Sequence, residues 1–599
     1  MIAGRHRHQM AGHLPGQPSG ASAGSRGGDP LAARKAPNRR AKAMRRLIKF
    51  GVVIAVSLLA AACASNSNSG GGGTAGPSGV LTIDNESGGN WTCNFNPFNL
   101  SDISFSLGTV YEPLIFVNTL QNNKTKPWLA TNYAWSNGNK TLTFTIRKGV
   151  KFTNGNPLSA SDVVYTFNLL KQNKTLDINA IWSVLTSVTQ QGSDQVVMQF
   201  KAPAVTYFYY IADQVGIVSQ KVWSKIANPT KYPDTNPIGT GPYTVSDQTC
   251  KPQVISYKAN THYWVKGAPK IATVNYPAFL TNDTANTFLA NGQAQWGSQF
   301  IPSITKFLAG QPAIKWWFPP VANVSVFINL TNPLLKNVAV RQAMAYAINR
   351  QRASTLGEFG YEPASNQSGI VTPTFTTWLD TSQAAAFGNN YAFNPAKAES
   401  ILTKAGFKKG PDGIFAKNGQ KLSFSIINNG GFSDWVNAVN VIVANLKAVG
   451  IQVTAQDLAQ TTYQNKLYAG QYELGYGSET GGPGPYFELR QWLYSANSAP
   501  IGTPAGSNFE RYKNPATDAL INQFAQTTDP ATQKQIISKL ELVMLKEVPV
   551  IPVTESVDWF QYDTSKFTGW PTPSNPYAQP AAYNYPDWAQ VMMNLTPAK

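Results

Sequence analysis

The clearest periodicity in the chain lies between residues 421 and 458. KLSFSIINN (421–429) and IQVTAQDL (451–458) read as strands. Between them Trp435, Val436, Val439, Ile442, Val443, Leu446 and Val449 recur at helical spacing. Ser433 or Asp434 can cap the start of that helix, and Gly450 stands where a terminating glycine belongs. Two strands joined by one helix imply a parallel pair with a right-handed crossover. A second helix is predicted over NVAVRQAMAYAINRQ (337–351), capped by Asn337 and burying Val338, Ala345 and Ile348 or their neighbours. A third is predicted over 531–549, ending before Pro549, and Met344 and Met544 read as ordinary core residues.

In open α/β sheets ligands bind outside the carboxyl ends of the strands. Three Gly-rich, ring-bearing loops follow predicted strands: LTIDNESGGNWTCN (81–94), NNGGFSDW (428–435) and GYGSETGGPGPYF (475–487). They either line one crevice or form three separate surface turns. The third is not a phosphate cradle. Gly475-x-Gly477 is followed by Thr480 where a third glycine is needed, and Pro483 and Pro485 remove N–H donors.

The 599 residues allow two or more cores, and 42% hydrophobic and 12% aromatic residues suit a globular protein. The net charge of +18 is placed unevenly: residues 1–62 carry eleven Lys and Arg against Asp29 alone. The basic signal is mostly a leader, so a nucleic-acid partner is not expected. Residues 1–43 are patternless, which leaves Met44 as an alternative start. Arg45, Arg46 and Lys49 precede the uncharged run Phe50 to Ala62, too short to span a bilayer and suited to a signal peptide. Lys49 argues for general rather than twin-arginine export. Leu58 to Cys63 resembles a bacterial lipobox, with Ala60 where Leu is commoner, so Cys63 is the expected lipidation site; plain secretion with cleavage near Ala62 is the alternative. ASNSNSGGGGTAGPSG then reads as a flexible tether. Outside the cytoplasm, Cys93 and Cys250 form a disulfide or remain two separately buried thiols.

His262 is the sole histidine after the leader, which argues against a His-based metal site or a Ser–His triad. The Gly-x-Ser-x-Gly match GASAG (20–24) lies in the leader without a strand–helix elbow. Scattered acids leave a carboxylate-pair hydrolase as an alternative function. A catalytic site, a metal and a cofactor are all absent from the expectation.

Motifs along residues 80–570 resemble, in order, the dipeptide/oligopeptide-binding family of extracytoplasmic receptors that serve ABC importers. They are VYEPLIF (110–116), LATNYAWSNGNKTLTFTIRKGVKFTNGNPLSASDVVYTFNLL (129–170), NPIGTGPYTV (236–245) and NTHYWVKGAPKI (260–271). INLTNPLLKNVAVRQAMAYAINR (328–350), AESILTKAGF (398–407), NFERYKNPATDALI (508–521) and EVPVIPV (547–553) complete the series. Each has a structural reading of its own, so together they identify a fold rather than a ligand.

The resemblance implies an α/β, type II periplasmic-binding fold: two lobes around a ligand cleft, with an extra subdomain on lobe I. The expected organisation is 1–62 leader and signal peptide, 63–79 lipidated tether, 80–325 lobe I with the subdomain at about 111–236, 326–555 lobe II, and 556–599 returning to lobe I. Lobes closing on a peptide or similar organic solute, and a monomer docking on an ABC permease while anchored to the membrane, follow from the same resemblance. An envelope sensor or adhesion protein keeping the fold is the remaining alternative.

In peptide-binding members an aspartate before the loop proline pairs with the ligand's α-amino group. Aligning Pro485 on that proline puts Gly481 at the aspartate's position, and Glu479 becomes the substitute anchor or a solvated rim residue. Trp91, Trp435, Tyr486 and Trp559 are the candidate ligand-contacting rings, or else core residues. Asp434 is either the helix cap or a polar contact in the cleft.

Overall fold

The computed structural model describes residues 76–598, apart from 86–88, 101 and 480. The leader, Cys63 and most of the tether lie outside the described residues.

Two sheets organise the molecule. The first orders Ile314–Trp316, Gln561–Asp563, Trp296–Gly297, Ser78–Asp84, Ile271–Pro277, Val254–Ala259 and Tyr243–Thr244, with Cys250–Lys251 also paired to Val254–Ala259. Ser78–Asp84 runs parallel to both of its neighbours. The second orders Gln452–Leu458, Ser423–Asn429, Leu474–Ser478, Pro320–Ile328 and Val550–Val557. Its first three strands are parallel, as the strand–helix–strand pattern predicts, and the last two run antiparallel to their neighbours. Val326, Ile328, Met344, Ile426, Ile442, Leu446 and Ile551 pack as the core of this second sheet. Each such side chain contributes about 1.5–3 kcal/mol of burial.

The chain passes from first sheet to second between Trp316 and Pro320, and returns between Val557 and Gln561. The expected crossings near 325 and 555 instead fall inside Pro320–Ile328 and Val550–Val557. Both strands are buried along most of their length, so their hydrophobic runs hide the point of exchange. A separate antiparallel sheet, Ala130–Ser136, Thr141–Ile146, Gln195–Phe200 and Leu185–Gln191 in that order, occupies the segment expected as the extra subdomain.

The central helix spans Ser433–Ala448, and Gly450 beyond it has φ 79°. The N-cap position is Phe432, whose side chain makes no capping hydrogen bond; Ser433 and Asp434, the expected caps, are the first two residues of the helix itself. The predicted helix over 337–351 is two helices, Val338–Ala347 and Arg350–Gly357. Ile348 is extended, and Asn349 starts the second helix by accepting from the Arg352 N–H at 2.9 Å. Asn337 caps the first helix through the Ala339 N–H at 3.0 Å, while Val338 is exposed rather than buried.

The family-like motifs have structural causes. Glu112 of VYEPLIF accepts from Trp128 Nε1 at 2.6 Å, Tyr263 Oη at 2.5 Å and Trp264 Nε1 at 3.0 Å, so two distant motifs meet at one buried carboxyl. A Cβ at Gly239 or Gly241 of GTGPY would overlap the carbonyls of Val110 and Thr109. Arg341 donates to the carbonyls of Leu335, Lys336, Glu547 and Val548, tying its helix to the EVPVIPV segment.

Candidate functional site

A cavity of about 720 Å³ lies where the carboxyl ends of strands from the two sheets face one another. Asn85, Trp91 and Asn94 follow Ser78–Asp84 of the first sheet; Asn429, Phe432 and Trp435 follow Ser423–Asn429 of the second; Ser478, Glu479 and Gly481 close Leu474–Ser478. The three Gly-rich loops thus line one crevice and are not separate turns. Tyr209 and Tyr210, and the helix residue Arg490, complete much of the wall.

Trp91 is held from behind. Its Nε1 donates to the Tyr276 carbonyl at 2.7 Å, and its ring packs against Phe105 and Tyr276, both at 4.8 Å between centroids. Two residues on, Cys93 is bonded to Cys250, with Cα atoms 5.7 Å apart. The disulfide therefore ties this loop to the end of the first sheet. Trp435 meets Phe432, Tyr476 and Tyr463 edge to face at 5.0, 5.7 and 6.2 Å. Gly477 makes that cluster possible, because a Cβ there would overlap the Tyr463 hydroxyl.

Glu479 lines the cavity but is almost wholly buried, and neither carboxyl oxygen has a hydrogen-bond partner. Burial pushes its carboxyl well above the usual range, and neighbouring Glu510 and Glu488 add to the rise. It is therefore neither the solvated rim residue of one expectation nor already turned toward a ligand. Gly481 is glycine for a packing reason: a Cβ there would overlap the Val321 carbonyl. A side chain at 481 would point into the strand Pro320–Ile328.

Three of the six residues expected at the ligand do not line the cavity. Tyr486 sits inside the helix Pro485–Leu493 and stacks on Phe524 at 4.4 Å. Trp559 packs with Phe318, Phe300 and Tyr361 in a small separate core. Both rings satisfy apolar neighbours, which residue type alone does not distinguish from a ligand platform. Asp434 is buried beside the cavity wall and accepts from Asn282 Nδ2 at 3.2 Å; burial pushes its carboxyl up to about 7.

Sequence reasoning missed Arg490, Asp102 and Asn282. The Arg490 guanidinium lies over the rings of Tyr494, Tyr210 and Tyr207 at 5.0, 5.1 and 5.3 Å and donates to the Asn179 carbonyl at 3.0 Å. Its one sequence signal is a lone arginine one turn beyond the Gly-rich loop. Asp102, also on the wall, accepts from Asn94 Nδ2 at 2.7 Å, and burial pushes it up to about 6. The wall therefore offers aromatic faces, amides, two acids and one arginine. Among the described residues no group of three or more His, Cys, Asp or Glu is placed to hold a metal ion, and no helix is long and apolar enough to cross a membrane.

The model of the family described as bacterial extracellular solute-binding proteins, family 5 (Middle), matches residues 124–500. The glutathione-binding protein GsiB of Salmonella paratyphi A is 25% identical over 456 residues, covering 72% of this chain and 80% of the relative. A periplasmic oligopeptide-binding protein of an ABC transporter from Thermotoga maritima, solved with mannohexaose bound, is 26% identical with a TM-score of 0.81, covering 86% of this chain and 98% of that one. The oligopeptide-binding protein AppA of Bacillus subtilis, in complex with a nonapeptide, shares the fold at 20% identity and a TM-score of 0.74, covering 88% of this chain and 100% of that one.

Proposed function

Because the chain belongs to the bacterial extracellular solute-binding proteins of family 5, we propose that it captures a peptide or similar organic solute between its two lobes and delivers it to the membrane permease of an ABC importer. One observation carries the reading: loops from the strand ends of both sheets meet on a single cavity large enough for a small peptide. The family and the relatives are solute-binding proteins, against the hydrolase alternative. Closure around the solute is a hinge motion at the two segments that pass between the sheets, and the solute shifts the population toward the closed form.

Trp91, Trp435, Tyr209 and Tyr210 give the solute faces to stack on, and Arg490 gives it a cation. Glu479 serves as the amine anchor when its side chain turns toward the cavity, where a ligand ammonium would restore the charge that burial suppresses. A second reading is favoured by the sealed oxygens of Glu479. Without that turn, the aromatic and amide wall suits a neutral oligosaccharide, and one relative is solved with mannohexaose. Native mass spectrometry of protein purified from its own host tests both. A retained peptide mass supports the first reading, a retained hexose series the second, and a bare chain in every preparation counts against capture.

The leader and Cys63 support a lipid anchor on the outer face of the cell membrane. Cys63→Ser should move the protein from the membrane fraction to the soluble one; its persistence in membranes would remove the anchor.

A further inference from the structure

The helix Ser433–Ala448 carries Trp435 and follows Phe432, both on the cavity wall, yet the side chain of its N-cap residue, Phe432, does not cap it. An uncapped N-terminus leaves orphan N–H donors, which are costly when buried. Its partner comes from the other sheet. Asn282, the first residue of the helix Asn282–Ala290 between two strands of the first sheet, is buried against it. Asn282 Oδ1 accepts from the Ser433 N–H at 3.3 Å and the Ser433 hydroxyl at 3.1 Å, and its Nδ2 donates to Asp434 Oδ1 at 3.2 Å. The Asn282 N–H donates to the Gly431 carbonyl at 3.1 Å. Gly431 lets the chains approach, since a Cβ there would stand 2.8 Å from the Leu280 carbonyl oxygen.

Two helix N-termini from opposite lobes thus meet head to head. The buried Asp434 carboxyl sits at this junction, accepting from Asn282 of the other lobe. Every one of these bonds joins a residue between strands of the first sheet to one between strands of the second, so all are lost together when the lobes part. Opening therefore uncaps the Ser433–Ala448 helix and exposes an amide–carboxyl pair; closing restores both.

We propose that Asn282 is a positioning residue, a latch that caps the second lobe's helix only in the closed form and so holds the Phe432–Trp435 wall against the first lobe. This rests on the two-lobe receptor reading. It does not touch the solute, because neither Asn282 nor Asp434 lines the cavity.

Small-angle X-ray scattering of the purified, ligand-free protein tests it. Asn282→Asp places two carboxyls face to face and removes the donor; the radius of gyration should rise above that of the wild type. The exchange N282D/D434N returns one amide and one carboxyl to the junction, and the radius should fall back. A melting curve on each variant separates a latch from a plain helix cap. An Asn282→Asp protein that melts lower but stays as compact as the wild type would overturn the proposal, as would an exchange variant no more compact than the single one. No solute enters the measurement, so this result is independent of whether the protein is a receptor for any particular ligand.

Discussion

Two residues in one loop carry the question of what the cavity binds. Gly481 stands where the family resemblance expects an amine-pairing aspartate, and a Cβ there would overlap the Val321 carbonyl. Gly481→Asp should therefore lower the melting temperature without gaining affinity for peptides with a free amino group, which thermal denaturation and calorimetric titration would check together. Glu479 is the acid that remains. Burial, with Glu510 and Glu488 nearby, pushes its carboxyl well above the usual range and so disfavours the charged form. Glu479→Gln, an uncharged replacement, should leave the melting temperature of the free protein nearly unchanged. It should weaken any ligand bound through an amine by roughly tenfold to a hundredfold, the worth of a hydrogen bond to a charged group. Equal affinity of both forms for an amine-bearing peptide would remove Glu479 from the site.

At the scale of elements, the loop bearing Trp91 is fastened by the Cys93–Cys250 disulfide, which closes a long segment of chain. Replacing both cysteines with serine should cost about 2–4 kcal/mol, seen as a lower denaturation midpoint, and should loosen the Trp91 wall. The loops were legible before the structure because strand ends are marked by glycines that follow hydrophobic runs; Trp91 and Trp435 lie in loops found that way, while Glu479 came from the family resemblance. Tyr486, at the end of the third loop, and Trp559 were candidates as rings, and rings bury as readily in a core as against a ligand. The helix over 337–351 looked continuous because its apolar spacing continues through Ile348, while the break depends on Asn349 capping a second helix. Asn282 left no signal, since its partner lies some 150 residues away and across a lobe junction. Arg490 left only a weak one, because the tyrosines beneath its guanidinium come from the segment around 207–210 and from its own helix end.

The whole molecule has an unusual distribution of charge. Glu112, Asp434 and Asp587 are pushed up to about 7 by burial, and Glu362, Glu488 and Asp558 to about 8. The ion pairs among the described residues lie elsewhere, at the surface: Lys148–Asp194, Lys409–Glu399 and Lys421–Asp412. A carboxyl whose folded value lies above its unfolded value near 4 binds a proton more tightly when folded. Stability is then greatest below the unfolded value's upper edge and falls as pH rises through 7 to 8. Asp380, held low by bonds from Ser382, Ser538 and Gln383, opposes this only at strongly acid pH. The melting temperature should therefore be higher at pH 5 than at pH 8, and a curve rising toward pH 8 would contradict the burial of these acids. The same fold must also open to admit its solute, and the central claim is that it does so for a peptide or similar compound. The most direct test is a thermal-shift titration of the purified protein with a panel of short peptides, glutathione and mannohexaose. The account predicts that at least one class raises the melting temperature in a concentration-dependent way, by preferential binding to the folded form. No shift from any compound up to millimolar concentration would contradict it.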